Sequence, residues 1–270
     1  MEYLIAVDLE GIHGVVGEEN KTLTAAEDYK RACEGAALEI NATAEVLFEC
    51  GAEKVAVWDN HGGGNNIDFD LVDKRCIKIV PERGTSRYAF VKEHNFDAII
   101  FLGYHAMEGT PHGVLAHTFS SVGIQYVKLN GRPIGELFVD SYIAASYGIT
   151  PFFIAADNVC LAEMRTVCPG IPEVTTKIGI RRNRAELIDR ECVLSEIRAT
   201  VRRACAQPLH EWDHTFEPGS HLEVRYTRAE RADMIYDRER QKGEIPTSYG
   251  GDTHTLIFTV DRADQIPKLL

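Results

Sequence analysis

Apolar positions in the first half of the chain alternate between short unbroken runs and stretches with an apolar or small residue every three or four positions. Tyr3 to Val7 is a continuous run and predicts a buried strand. Thr24-Ala25-Ala26-Glu27 has the form of a capping box, so a helix is predicted from there to about Cys50, stopped by Gly51. Tyr29, Cys33, Ala36, Ile40, Ala44 and Leu47 mark its buried face. Lys54 to Trp58 and Asp97 to Leu102 predict two further strands, separated by a variable stretch from about Ile67 to Arg87. Strands alternating with helical segments imply a mostly parallel sheet flanked by helices, an α/β fold.

The pattern changes after that. Tyr126-Val127-Lys128-Leu129 and Arg132-Pro133-Ile134 flank Asn130-Gly131, the pair best suited to a two-residue hairpin, and Pro133 places the hairpin at a sheet edge. A helix is predicted from about Gly135 to Tyr147 and a strand from Pro151 to Ala155. Val174 to Ile180 reads as one more strand, and Asn183 with Glu186 as the start of a long helix ending before Pro208. Beyond Pro208 only short strands are expected, at Leu222 to Tyr226 and Thr253 to Val260. A boundary near Arg182 would separate an α/β domain at 1–182 from a smaller α+β portion at 183–270, the latter expected to contribute oligomer contacts.

A chain of 270 residues with 44% hydrophobic and 26% charged residues is an ordinary globular protein, not a disordered, collagenous or disulfide-scaffold chain. Its 29 basic and 41 acidic residues leave a net charge of −12, which repels phosphate backbones and anionic membranes and favours cations. Neither nucleic acid nor a membrane is expected as a partner. The seven cysteines are odd in number and none stands in a C-x-x-C spacing. With no basic n-region before the first apolar run, a cytoplasmic location is expected.

The predicted strands end in chemically similar clusters: Asp8-Leu9-Glu10 after the first, Asp59-Asn60-His61 after the second and Gly103-Tyr104-His105 after the third. The carboxyl edge of an open parallel sheet is where ligands bind. Glu136 enters at the first turn of the helix after the hairpin, where the macrodipole tolerates a carboxylate. Taken singly, a carboxylate after a strand is more often a cap, and a histidine more often a packing residue. Their joint occurrence at three successive strand ends is what points to metal. Carboxylate with imidazole suits zinc or another borderline dication, and five such side chains exceed the three that one catalytic zinc usually takes. Two ions fit better: their +4 against −3 from Asp8, Glu10 and Glu136 leaves +1 to stabilise a hydroxide.

Downstream, the loop from Gly109 to His117 returns His112 and His117 toward the same edge. Either imidazole suits proton transfer, with His117 favoured because apolar neighbours would hold it rigidly. Asp59, Asp140 and Asp157 are candidates to support ligand imidazoles, or equally to act as caps. Arg181, Arg182, Arg184, Arg198, Arg202 and Arg203 form a basic stretch, read as a solvated helix face or a subunit contact with acidic neighbours, with a substrate carboxylate as the less favoured alternative.

Asp8-Leu9-Glu10-Gly11-Ile12, Asp59-x-His61, Gly103-Tyr104-His105-Ala106, Ala116-His117-Thr118 and Asn130-x-Arg132-Pro133-x-Gly135-Glu136 together resemble the zinc-dependent D-aminopeptidases of the DppA type, peptidase family M55. The motifs occur in order over residues 1 to about 180. The resemblance implies two zinc ions per subunit held by Asp8, Glu10, His61, His105 and Glu136, with His117 catalytic. It implies a homodecamer of two stacked five-membered rings, acting on short peptides with an N-terminal D-amino acid such as D-Ala-D-Ala. Gly62-Gly63-Gly64 and His13 depart from the family pattern near the expected site and leave the substrate open. The triglycine also resembles a lipase oxyanion loop, but no G-x-S-x-G elbow accompanies it, and no H-E-x-x-H helix is present. Another two-metal amidase or phosphoesterase and a non-catalytic peptide-binding ring remain as alternatives. His117 separates the last from an enzyme, since a binder needs no proton-transfer group.

Overall fold

The structure is a computed structural model and describes residues 1–82 and 87–270. In chain order it comprises β1 (Glu2–Val7), α1 (Tyr29–Glu49), β2 (Lys54–Asp59), β3 (Ile77–Ile79), β4 (Ala98–Tyr104), β5 (Ile124–Leu129), β6 (Arg132–Pro133), α2 (Glu136–Ser146), β7 (Thr150–Ala156), α3 (Asn158–Met164), β8 (Glu173–Thr175), β9 (Lys177–Arg181), β10 (Arg184–Leu187), α4 (Arg190–Cys205), β11 (Ser220–Tyr226), α5 (Ala229–Lys242), β12 (Thr247–Tyr249) and β13 (Thr255–Val260). The expected α/β class holds. Six strands form one sheet in the order β3-β2-β1-β4-β7-β8, every pairing parallel. A second, antiparallel sheet has the order β12-β13-β11-β5-β6, and β9 with β10 forms a separate hairpin.

Strand alternation sends successive side chains to opposite faces, so an unbroken apolar run can feed two cores at once. Tyr3, Ile5 and Val7 of β1 pack with Ala36, Ile40 and Leu47 of α1 and with Ile197 and Val201 of α4. Leu4 and Ala6 face the other way, toward Leu137 and Phe138 of α2, Leu161 of α3 and the apolar face of the antiparallel sheet, Val127, Leu222, Val224 and Phe258. Hairpin β5–β6 forms as its Asn-Gly turn predicts, with Pro133 on the edge strand. The antiparallel sheet therefore combines strands from both sides of residue 182.

Several expected boundaries move. The capping box does not form: residues 23–25 make a 3-10 turn, and α1 begins after Asp28, whose carboxylate accepts instead from the Val16 and Gly17 amides at 2.9 Å. Asn183 sits in the β9–β10 turn and donates to the Val16 carbonyl, so the cap of α4 is Asp189, which accepts from the Cys192 amide at 3.1 Å. The single strand at Val174 to Ile180 is two, β8 in the parallel sheet and β9 in the hairpin, parted at Thr176. Helix α5 was not expected, because only Ala232, Ile235 and Glu239 of it are buried and its apolar stripe is too narrow to register. Within the variable stretch, β3 forms, while residues 83–86 lie outside the described residues.

The parallel sheet grows outward from β1 to β2 and β3, then restarts on the other side of β1 with β4. That reversal makes a crevice at the carboxyl ends of β1 and β4. Gly103 in β4 is built for it: φ is +70°, and a Cβ there would lie 2.1 Å from the Asp8 carbonyl oxygen. Replacing Gly103 with Ala is expected to cost at least about 2 kcal/mol through backbone strain and steric overlap. Urea denaturation should show a lowered midpoint; an unchanged midpoint would mean the two strand ends do not approach this closely.

Candidate metal centre

Just past β1, three consecutive carbonyls are held by the same short segment of chain. Lys177 Nζ donates to the Glu10 and Ile12 carbonyls at 2.5 and 2.8 Å, and Thr176 Oγ1 donates to the Gly11 carbonyl at 2.6 Å. The Gly11 amide donates to the Gly103 carbonyl at 2.7 Å, and a Cβ at Gly11 would come within 2.0 Å of the Tyr104 carbonyl oxygen. This loop is thereby pinned to β4 on one side and to β8–β9 on the other, with Asp8 and Glu10 both buried and close together.

His105 follows β4 directly, and its Nδ1 donates to the Ala106 carbonyl at 2.9 Å, which leaves Nε2 free to face the carboxylates. Nε2 lies 3.4 Å from Asp8 Oδ2 and 3.3 Å from Glu136 Oε1. Glu136 opens α2 as expected, and its Oε1 also accepts from the Phe119 amide at 2.8 Å. His61 joins from the end of β2, its Nε2 3.3 Å from Glu10 Oε1. His117 stacks on His105 with ring centroids 4.0 Å apart, its Nε2 3.7 Å from Glu136 Oε1. Its Nδ1 donates to the Leu115 carbonyl at 2.9 Å. The five expected ligands and His117 thus meet in one place.

Two donor groups overlap on His105. Asp8, Glu10 and His105 offer atoms within 4.8 Å of one another, as do His105, His117 and Glu136. The tetrahedral edge for bonds of roughly 2.0 Å is about 3.3 Å, close to the separations around His105 Nε2 and between His61 and Glu10. Glu10 Oε2 and His105 Nε2 are buried and make no hydrogen bond. Buried polar atoms normally find a partner, and a donor set of carboxylate oxygens and imidazole nitrogens with atoms left over fits a borderline dication.

Charge in this pocket is balanced internally. Burial, reinforced by the Glu10 carboxylate, pushes the Asp8 carboxyl well above its ordinary range. Burial also opposes ionisation of Glu10 and Glu136, but the neighbouring imidazoles outweigh it: His61 brings Glu10 well below the usual range, and His105 holds Glu136 at about 2. Desolvation works against the charged imidazoles too. Glu10 nevertheless lifts His61 to about 10, and Glu136 with Asp8 lifts His105 well above its usual value. His117 moves the other way, lowered by burial and by His105 alongside it.

Around this cluster lies a network the sequence did not signal. Arg87 forms a fork on Asp140, Nε to Oδ1 at 2.6 Å and Nη2 to Oδ2 at 2.9 Å, and its Nη2 is 3.7 Å from Glu136 Oε2. Tyr104 and Asn60 donate to the same Asp140 oxygen at 2.6 and 3.0 Å. Asp140 therefore supports no imidazole; Asp59 accepts from Asn66 and Ile67, and Asp157 caps α3. The partners of the His105 and His117 imidazoles are backbone carbonyls, which no residue-type pattern reveals. Lys177 had a weak signal, a charge inside an apolar run. His112 is exposed and donates to the Ile180 carbonyl, and His13 turns to the Ile188 carbonyl near α4 instead of the cluster. Leu115 and Phe119, with φ of +52° and +58°, bracket His117 in a backbone region that non-glycine residues seldom occupy. Of the basic stretch, Arg198, Arg202 and Arg203 pair with Glu45, Glu49 and Glu196.

The family model of peptidase M55, D-aminopeptidase, matches residues 1–247. The chain belongs to that family. Among M55-related proteins, the D-aminopeptidase of Bacillus subtilis strain 168 is 27% identical over 183 residues, 68% of this chain and 66% of that protein. The nonribosomal peptide synthetase sidE of Aspergillus fumigatus is 26% identical over 226 residues, 78% of this chain but 10% of its own length. The solved structure of the Zn-dependent D-aminopeptidase DppA from Bacillus subtilis, titled a self-compartmentalizing protease, superposes with a TM-score of 0.85. It covers 100% of this chain and 95% of its own at 21% identity, so the two share a fold.

Metal ligands must be deprotonated, whereas the carboxylates beside His61 and His105 favour the protonated imidazoles. Zinc titration of chelator-treated protein at pH 7 is therefore expected to release about two or more protons per chain, read with a pH indicator in weak buffer. Stoichiometric zinc uptake with no proton release would show that these imidazoles do not enter the coordination sphere.

Proposed function

We propose that the chain is a two-zinc aminopeptidase that removes an N-terminal D-amino acid from short peptides of the D-Ala-D-Ala type. The observation that carries this reading is His105 Nε2, set between Asp8 and Glu136 at 3.4 and 3.3 Å without a hydrogen bond, with Glu10 and His61 completing the donor set beside it. Asp8, Glu10, His61, His105 and Glu136 are the proposed ligands. Family membership and the name of the Bacillus structure support zinc and peptide chemistry.

Bound zinc would polarise the peptide carbonyl and lower the pKa of water toward ~7. His117 then manages the proton. With Nδ1–H committed to the Leu115 carbonyl, its Nε2 is the free lone pair, beside Glu136 and in the cavity. Nε2 accepts the proton of the attacking water as the carbon–oxygen bond forms, and returns it to the nitrogen of the departing amine as the carbon–nitrogen bond breaks. Glu136 stabilises the imidazolium in between, and the Phe119 amide fixes the carboxylate that does so. The cavity these residues line has a volume of about 230 Å³. That is below the roughly 300–1,000 Å³ of sites for drug-sized ligands and suits a short peptide.

The same reading extends to assembly and location. We take the chain to form a homo-oligomer, a decamer of two five-membered rings by family resemblance, with 183–270 contributing contacts, and to act in the cytoplasm. No helix among the described residues is long and apolar enough to cross a membrane.

Asp8→Asn is expected to lose zinc and hydrolysis of D-Ala-D-Ala together, followed by elemental analysis and amine release. Full zinc stoichiometry in that variant would remove Asp8 from the ligand set. His117→Ala should keep its zinc and lose about 10²- to 10⁴-fold in kcat, the usual contribution of a positioned proton-transfer group. Zinc loss in His117→Ala would instead make His117 a ligand. If zinc-loaded wild type releases no amine from any D- or L-dipeptide, the peptidase reading falls.

A further inference from the structure

Besides the imidazoles His61 and His117, the basic side chains among the described residues lining the central cavity are Lys21 and Arg182, facing a site whose own carboxylates are Asp8, Glu10 and Glu136. The two cations differ in how they are matched. Lys21 Nζ is 2.5 Å from Glu18 Oε2, so its charge is already paired. Arg182, in the turn between β9 and β10, makes no ion pair with any described residue, although twelve more acidic than basic residues are present in the chain. It is held in place by backbone instead. Arg182 Nη1 donates to the Ala116 carbonyl, and the Arg182 carbonyl accepts from the Leu115 amide at 2.8 Å. The guanidinium is thus tied to the peptide unit next to His117, while its remaining donors are uncommitted.

An unpaired, positioned guanidinium at the edge of a reaction cavity selects an anion, and its fork matches a carboxylate. We propose that Arg182 is a specificity-determining residue that binds the C-terminal carboxylate of the substrate, so that the preferred substrates are peptides of two or three residues with a free C-terminus. This rests on the peptidase reading and extends it. An aminopeptide bound with its scissile carbonyl beside His117 sends its C-terminal part away from the metal ligands. One or two residues, about 3.5 Å each when extended, carry its carboxylate toward the group that grips the neighbouring Ala116 carbonyl. Longer peptides place a neutral amide at that point and gain nothing from the charge. Arg198, Arg202 and Arg203 of the basic stretch are already matched by glutamates, and of Arg181, Arg182 and Arg184, which have no described ion pair, Arg182 is the one that lines the cavity, which is why the assignment falls on it.

The test compares D-Ala-D-Ala with its C-terminal amide on zinc-loaded protein, since the two share a scissile bond and differ in the terminal charge. Wild type is expected to favour the free acid by about tenfold or more in kcat/KM, carried mainly by KM. Arg182→Gln should bring the ratio of acid to amide close to one, and Arg182→Lys, which keeps the charge but not the fork, should retain part of it. A wild-type ratio near one, or a ratio unchanged in Arg182→Gln, overturns the assignment and leaves the peptidase reading intact. Absence of turnover with both peptides strikes the peptidase reading instead. Calorimetry on zinc-loaded His117→Ala protein, which needs no turnover, still decides the Arg182 assignment. The acid should bind at least about tenfold more tightly than the amide, and lose that advantage when Arg182→Gln is added. Equal binding, or no binding of either peptide, counts against it.

Discussion

Three carboxylates buried within a few ångströms of one another are the constraint around which this molecule is organised. Left alone, Asp8, Glu10 and Glu136 would repel each other and resist ionisation; burial, with the Glu10 charge beside it, pushes the Asp8 carboxyl well above its ordinary range. The fold answers by interleaving imidazoles: His61 against Glu10, and His105 between Asp8 and Glu136. The arrangement is not cheap for a folded chain to hold, because ionic groups away from water need both charge partners and hydrogen bonds. Glu10 Oε2, His61 Nδ1 and His105 Nε2 still lack the latter, and for Glu10 and His105 that is the condition a dication would relieve.

The surrounding scaffold can be understood as the means of keeping those groups from relaxing apart. Lys177 and Thr176 restrain the loop after β1 through its carbonyls, so the direction of Asp8 and Glu10 is set by backbone instead of by their own carboxylates. Arg87 and Asp140 do the equivalent for α2, one helical turn beyond Glu136. The outer groups carry charge as well, so the field around the site alternates in sign from layer to layer. Such layering leaves the clustered carboxylate and imidazole atoms little freedom.

Much of this was legible before any coordinates. Five unbroken or periodic apolar segments suffice to place β1, α1, β2, β4 and β7, because a sheet covered on both faces writes itself as continuous apolar runs. The carboxyl ends of those strands then name Asp8, His61 and His105, and Glu10 follows two residues after Asp8. What was not legible has physical causes. Residues 23–28 look like a helix start because Thr and Glu stand at the right spacing, yet Asp28 is needed elsewhere, by the amides of Val16 and Gly17. Helix α5 is amphipathic on too narrow a stripe. Arg87, Phe119 and the carbonyls of Ala106 and Leu115 act through tertiary approach or through main-chain atoms, and neither leaves a mark in residue type. Arg182 is visible in the sequence only as one of several arginines; the fold places it, alone among those without a described glutamate partner, on the cavity wall.

The pairing of β1 has a consequence for how the protein reaches its native state. Leu4 of β1 is bonded in register to Ala56 of β2 and Ile99 of β4, and Lys128 of the hairpin meets Glu223 of β11. Nearly all of the principal sheet contacts therefore close long loops before they return any energy, which is the topology of slow folders. An ion that needs donors from three separate strand ends and a helix would recognise only the nearly finished chain. It would do little to speed the climb to that point and a great deal to slow the descent from it, so that metal supply would govern the lifetime of the folded protein more than the rate of its formation.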